Sequence, residues 1–186
     1  MPTAERLITA QEYFAFTEGQ PWTELIGGRI VVNVPRIPHQ TLVGRLHLAL
    51  GKWVEEETGR GRVWLPLDVI VDDHNVLAPD LVWVAEERLP ERGASLLARP
   101  PDLLIEVRSP STWHRDIGGK RRLYERHGVG ELWLVDGMGQ SVIVCRRSAP
   151  SAPIFDVEAE LGPGETLGSS QLPGFGLVLD ELFAEP

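Results

Sequence analysis

Between Asp102 and Asp136 the chain runs through an apolar strand, a long helix and a second apolar strand, and this succession restricts the fold more than any other stretch. Residues 102–107 are apolar apart from Asp102 and Glu106, and Pro110 is expected to end the strand because its nitrogen cannot donate to a ladder. Residues 116–127 repeat at helical spacing and are closed by Gly128, and Glu131–Asp136 is strand-like again. A strand, a crossover helix and a strand imply two parallel neighbours joined by a right-handed connection. So continuous an apolar run belongs in the middle of a sheet covered on both faces.

The remaining elements extend that sheet. Residues 9–17 read as a short amphipathic helix, with Thr9 as N-cap and Glu12 three residues later completing a capping box. Residues 24–34 suggest a hairpin turning at Gly27-Gly28, ended by Pro35 and Pro38. Residues 39–57 carry Leu42, Val43, Leu46, Leu50, Trp53 and Val54 at helical periods, with Gly59 and Gly61 as the stop. Residues 63–71 and 77–84 form two strands, antiparallel neighbours across the turn Asp72-Asp73-His74-Asn75. A polar loop at 86–94, a short helical stretch at 95–98, a strand at 141–147 pairing back through 137–140, and a tail with apolar pieces at 154–157 and 177–183 complete the reading. The fold class is α/β, a mixed β-sheet flanked by helices, expected as one domain over residues 1–186.

The longest apolar runs fall far short of the roughly 20 residues that a membrane helix needs. The first residues lack the basic start and apolar stretch of a signal peptide, so the expected location is the cytoplasm. Cys145 is the sole cysteine and reads as a buried structural thiol. A net charge of -9 argues against a general coat on nucleic acid or an anionic membrane. Locally the sign reverses: Arg108, Arg115, Lys120, Arg121, Arg122 and Arg126 face only Asp116 and Glu125 in residues 108–127. Alone, such a run is an ordinary solvated helix face.

Two carboxylates interrupt apolar strands. Asp80 follows Pro79 and opens Leu81-Val82-Trp83-Val84, and Glu106 stands between Ile105 and Val107. A buried carboxylate needs a partner, either an arginine or a metal ion. Adjacent strands about 4.8 Å apart would bring both acids to one cation. Asp102 also follows a proline, but it lies roughly 13 Å from Glu106 along an extended strand and cannot share that ion; a place at the strand entry suits it better. Oxygen ligands without a His/Cys cluster favour magnesium or manganese over zinc.

Lys120 is the third element. The chain has two lysines, Lys52 and Lys120, so arginine supplies its general surface charge. Asp116, Lys120 and Tyr124 share one helix face, which would carry the ammonium toward Glu106 if the helix packs beside that strand. The bland alternative is an intrahelical Asp116–Lys120 pair worth a few tenths of a kcal/mol.

The string from Pro101 to Thr112, then Asp116, Lys120, Tyr124, Gly128-Val129 and Glu131-Leu132-Trp133-Leu134-Val135-Asp136, resembles the Uma-type restriction endonuclease family of the PD-(D/E)XK nuclease superfamily. The resemblance extends to Glu24-Leu25-Ile26-Gly27-Gly28, Pro38-His39-Gln40, Ala78-Pro79-Asp80 and Leu172-Pro173-Gly174-Phe175. It implies a restriction-endonuclease-like core with Asp80 as the PD aspartate and Glu106 as the acid of (D/E)XK. Val107-Arg108 follows Glu106, so the lysine is missing from its motif slot and Lys120 is its natural replacement. Arg108 is a poor base but a suitable phosphate ligand. Glu24, His39, Gln40 and Asp68 are accessory candidates, with helix capping the alternative for His39 and Gln40.

The implied activity is Mg2+- or Mn2+-dependent hydrolysis of phosphodiester bonds in DNA, by a homodimer or higher homo-oligomer able to cut both strands. The alternative is a catalytically inactive nuclease fold that binds nucleic acid or serves assembly, a reading favoured by Arg108 in the lysine slot and by the acidic net charge. A small-molecule hydrolase is disfavoured by the lack of a G-x-S-x-G elbow.

Overall fold

The computed structural model describes residues 6–17, 22–94, 96, 97, 99–108 and 116–185. The helical stretch expected at 95–98, the strand stop at Pro110, the string 109–112 and Arg115 lie wholly or partly outside these residues, as does the Asp116 side chain.

The first helix, α1 (Ala10–Thr17), starts on the expected capping box. The Thr9 N–H donates to the Glu12 carboxylate at 2.9 Å and the Glu12 N–H to the Thr9 hydroxyl at 3.3 Å. The hairpin β1 (Thr23–Ile26) and β2 (Arg29–Val32) turns through Gly27 and Gly28 with φ of 57° and 74°, values that glycine adopts without cost. Helix α2 (Ile37–Glu56) begins two residues earlier than the periodicity predicts, since Pro38 fits the first turn, where no N–H is needed.

The runs at 63–71 and 77–84 are each broken in two. Pro66 and Pro79 lack the N–H that a ladder requires, so the first run becomes β3 (Arg62–Trp64) and β4 (Val69–Asp72), and the second β5 (Asn75–Leu77) and β6 (Leu81–Val84). The antiparallel pairing holds, but in two different sheets: β4 with β5, and β3 with β6. The chain therefore crosses between sheets twice, at residues 65–68 and 78–80.

The larger sheet has the order β10-β9-β8-β7-β6-β3, with β7 (Leu103–Val107) and β8 (Glu131–Asp136) as its central parallel pair. Between them come a π-helical turn, Asp116–Lys120, and helix α3 (Arg121–His127), closed by Gly128 at φ 87°. Strands β9 (Ser141–Arg146) and β10 (Val157–Leu161) continue antiparallel. β10 starts later than the expected 154–157 because the Asp156 carboxylate closes a loop, accepting from the Ser148 N–H at 2.7 Å. The smaller sheet runs β2-β1-β5-β4; β11 (Thr166–Leu167) and β12 (Leu177–Val178) pair ahead of α4 (Leu179–Phe183).

Strand alternation divides the core. Leu103, Ile105 and Val107 face α2 through Leu42, Leu46, Leu50 and Trp53, whereas Leu104 shares the other face with Leu123 and Tyr124 of α3. Glu106 alternates onto the α3 face, so the period of the strand already decides which helix can reach it.

Candidate active site

Glu106 is an acid in the middle of a sheet, only 5 % exposed, and its compensation comes from the helix that follows. The Lys120 ammonium, likewise 5 % exposed, donates to Glu106 Oε1 at 3.1 Å and Oε2 at 3.3 Å. The Tyr124 hydroxyl, one helical turn later, donates to Oε1. Lys120 and Tyr124 thus present one face, as their spacing predicts, and Lys120 pairs with acids on other strands.

The second acid on that ammonium is Glu24, whose Oε1 lies 2.9 Å from Nζ. Glu24 sits in an apolar strand at 2 % exposure. Its carboxylate also accepts from the Ala78 N–H at 2.9 Å and the Asn33 amide at 2.6 Å. It consequently ties the small sheet to residues 78–80, the crossing that leads to Asp80. The sequence reading ranks Glu24 as accessory; the geometry places it on the same ammonium as Glu106.

Asp80 precedes Leu81, the first residue of β6, which pairs with Ile105, the residue before Glu106. Oδ2 accepts from the Val107 N–H at 2.7 Å, and Oδ1 is 3.1 Å from Nε2 of His39 on α2. His39 therefore positions Asp80; helix capping falls away because Arg36 is the N-cap and no side chain caps there.

Asp68 stands at the other crossing between sheets. Burial pushes its carboxyl above the ordinary aspartate range, and the negative charge of Glu24 adds to the rise. Glu24 and Glu106 thus share the Lys120 ammonium, Asp68 feels the charge of Glu24, and Asp80 is paired with His39. Among the described residues no three His, Cys, Asp or Glu side chains converge as a ready-made cage. Magnesium does not need one, since one or two carboxylates, water and a substrate phosphate complete its octahedron. Asp80 and Glu106 carry oxygen donors of the kind that magnesium takes.

The other candidates fall outside the cluster. The Arg108 guanidinium pairs with Asp136 at the end of β8. Gln40 is exposed and makes no side-chain hydrogen bond among the described residues. Asp102 holds the strand entry, accepting from the Ala85 N–H at 2.9 Å and pairing with Arg88. Glu131, which the sequence reading passed over, is fully buried, with the Trp133 indole N–H at 2.6 Å and the Ser169 hydroxyl at 2.7 Å as its donors. It closes the far end of β8.

Residues 10–180 match the sequence profile of the Uma2 family, described as a putative restriction endonuclease. The crystal structure of a putative nuclease from Anabaena variabilis superposes with a TM-score of 0.81 at 22 % identity, covering 95 % of this chain and 98 % of that one. At that identity the likeness concerns the fold. A search of the curated proteins returned no match.

Proposed function

The chain belongs to the Uma2 restriction-endonuclease family, and from that premise we propose that it is a divalent-metal-dependent endonuclease cutting phosphodiester bonds in DNA at Asp80, Glu106 and Lys120. Family and fold support a nuclease; the metal, the substrate and the residue roles are the proposal. The observation that carries it is the Lys120 ammonium shared between Glu106 and Glu24.

Asp80 and Glu106 would hold the cation, which supplies charge neutralisation at the phosphate and acidifies the attacking water. Lys120 orients that water and stabilises the negative charge that develops on the phosphate oxygens. Tyr124 and Glu24 fix the lysine–glutamate pair, and His39 fixes Asp80. The new oxygen–phosphorus bond forms as the opposite one breaks, leaving a 5′ or 3′ hydroxyl end and a phosphate end.

Plasmid cleavage in Mg2+ or Mn2+ tests the reading. Wild type should nick, and Lys120→Ala should be slower by about 10²–10³, the usual cost of one electrostatic donor. Equal rates would remove Lys120 from the chemistry. Calorimetric titration of Mn2+ should lose its signal in Asp80→Ala. Binding without cleavage in both metals would leave the nucleic-acid-binding module as the function.

Residues 1–186 act in this reading as one cytoplasmic domain; among the described residues no helix is long and apolar enough to cross a membrane. A homodimer is part of the proposal as well. Among the described residues β2 pairs only with β1, and Ile30 and Val32 on that edge are exposed. Light scattering should find a dimer that Val32→Lys dissociates.

A further inference from the structure

The basic run at 108–127 is only partly used by this site. Arg121 pairs with Glu125 and Glu158, and Lys120 is enclosed by Glu24 and Glu106. Arg122 and Arg126 are different: both are exposed, one helical turn apart, and neither forms an ion pair among the described residues. They stand on one wall of an open groove of about 510 Å³, with Ile26 and Gly27 of the β1–β2 hairpin and Ile154 among its other walls.

Gly119 lines the same groove, and nothing among the described residues requires a glycine there. Its φ is not positive, so the backbone does not demand glycine, and a Cβ built there would meet nothing within 4 Å among the described residues. Glycine is less favourable than alanine inside a helical segment. A glycine at this place in the groove fits a backbone that another molecule approaches closely. The groove also adjoins the site: Gly119 precedes Lys120 in the chain, and Ile26 lies two residues, about 7 Å, along β1 from Glu24.

We propose that this groove binds the sugar–phosphate backbone of the nucleic acid beside the bond being cut, Arg122 and Arg126 each engaging one phosphate while the strand lies against Gly119. The proposal rests on the nuclease reading and deepens it by naming a second contact surface for the same substrate. Two guanidiniums engage phosphates without reading bases, so the contact is independent of sequence.

The test is binding of a fluorescein-labelled duplex, and of one strand alone, to the full chain in Ca2+ across a salt series. Arg122→Ala/Arg126→Ala should weaken binding and reduce the slope of log K against log[salt] by about 1.8 for the duplex and about 1.4 for the single strand, two phosphate contacts at about 0.9 and 0.7 each. The control is Lys52→Ala, an exposed residue on α2, which packs on the opposite face of the larger sheet; it should retain the wild-type slope. Gly119→Ala should raise Tm while lowering affinity, a combination that a purely structural glycine cannot give. If wild type binds and the double variant keeps both its affinity and its slope, the groove is refuted while the nuclease reading stands. If wild type binds neither probe, the nuclease reading itself fails and takes this inference with it.

Discussion

Lys120 and Glu106 are 14 residues apart in sequence and 3.1 Å apart in space, buried together under the face of the sheet that α3 covers. The superfamily pattern would seat a lysine two residues after the acid, on the strand itself. Here Arg108 occupies that slot and pairs with Asp136, and the helix delivers the ammonium instead. An ammonium from the strand and one from the helix can reach the same carboxylate because Glu106 alternates onto the face that α3 covers.

Removing the lysine should cost more than removing the acid. Lys120→Met leaves Glu24 and Glu106 buried without their shared cation, and breaking such a pair costs about 3–5 kcal/mol. Glu106→Gln retains the Lys120–Glu24 contact and should cost less. Urea melts of both variants in EDTA give the comparison, and a larger loss in Glu106→Gln would contradict the shared-ammonium arrangement.

Asp80 and Asp102 both follow prolines, yet their substitutions should separate cleanly. Asp102→Asn weakens the Ala85 and Arg88 contacts, lowering Tm while leaving cleavage by the folded fraction near wild type. Asp80→Asn should abolish cleavage with a smaller change in Tm. Melting curves paired with single-turnover cleavage rates distinguish the two.

Asp68 gives a pH signature. Burial, then the charge of Glu24, raises its carboxyl above 3.8 in the folded protein, so the folded state holds this proton more tightly than the unfolded chain. The associated stability is fully present below the unfolded value and is lost as pH rises through the folded one. Metal-free Asp68→Asn should therefore melt above wild type near pH 7, with the gap closing toward about pH 4. Parallel Tm profiles at all pH values would contradict the raised carboxyl.

Cys145 should be inert in the native state. Burial pushes its thiol up to about 11, so little thiolate exists at about pH 8. A chromogenic disulfide reagent should label one thiol only after denaturant is added; rapid labelling of native protein would contradict this.

Glu106 was legible because an acid flanked by apolar residues must be explained, and Asp102 was set aside by strand length alone. Glu24 carries the same signal in Thr23-Glu24-Leu25-Ile26, but four residues beside a turn make a weaker strand than five in a long apolar run. The two-sheet division was not legible. Pairing of Leu25 with Val76 joins β1 to β5 across about fifty residues, and local alternation encodes which side of a strand is apolar, not which partner it finds. Pro66 and Pro79 mark the breaks without revealing that the halves part company. Gln40 was suggested by the resemblance, and it sits exposed beside His39 with no contact to the cluster.

The two crossings between sheets set Asp68 and Asp80 at a seam, with Glu24 on one side and Glu106 on the other. Assembly of the site is consequently a measure of how tightly the two sheets are closed. Any ligand that prefers the closed seam must slow the opening of the small sheet. Amide exchange at β1 and β5 should then slow upon loading, making the small sheet a reporter of occupancy as well as a wall of the site.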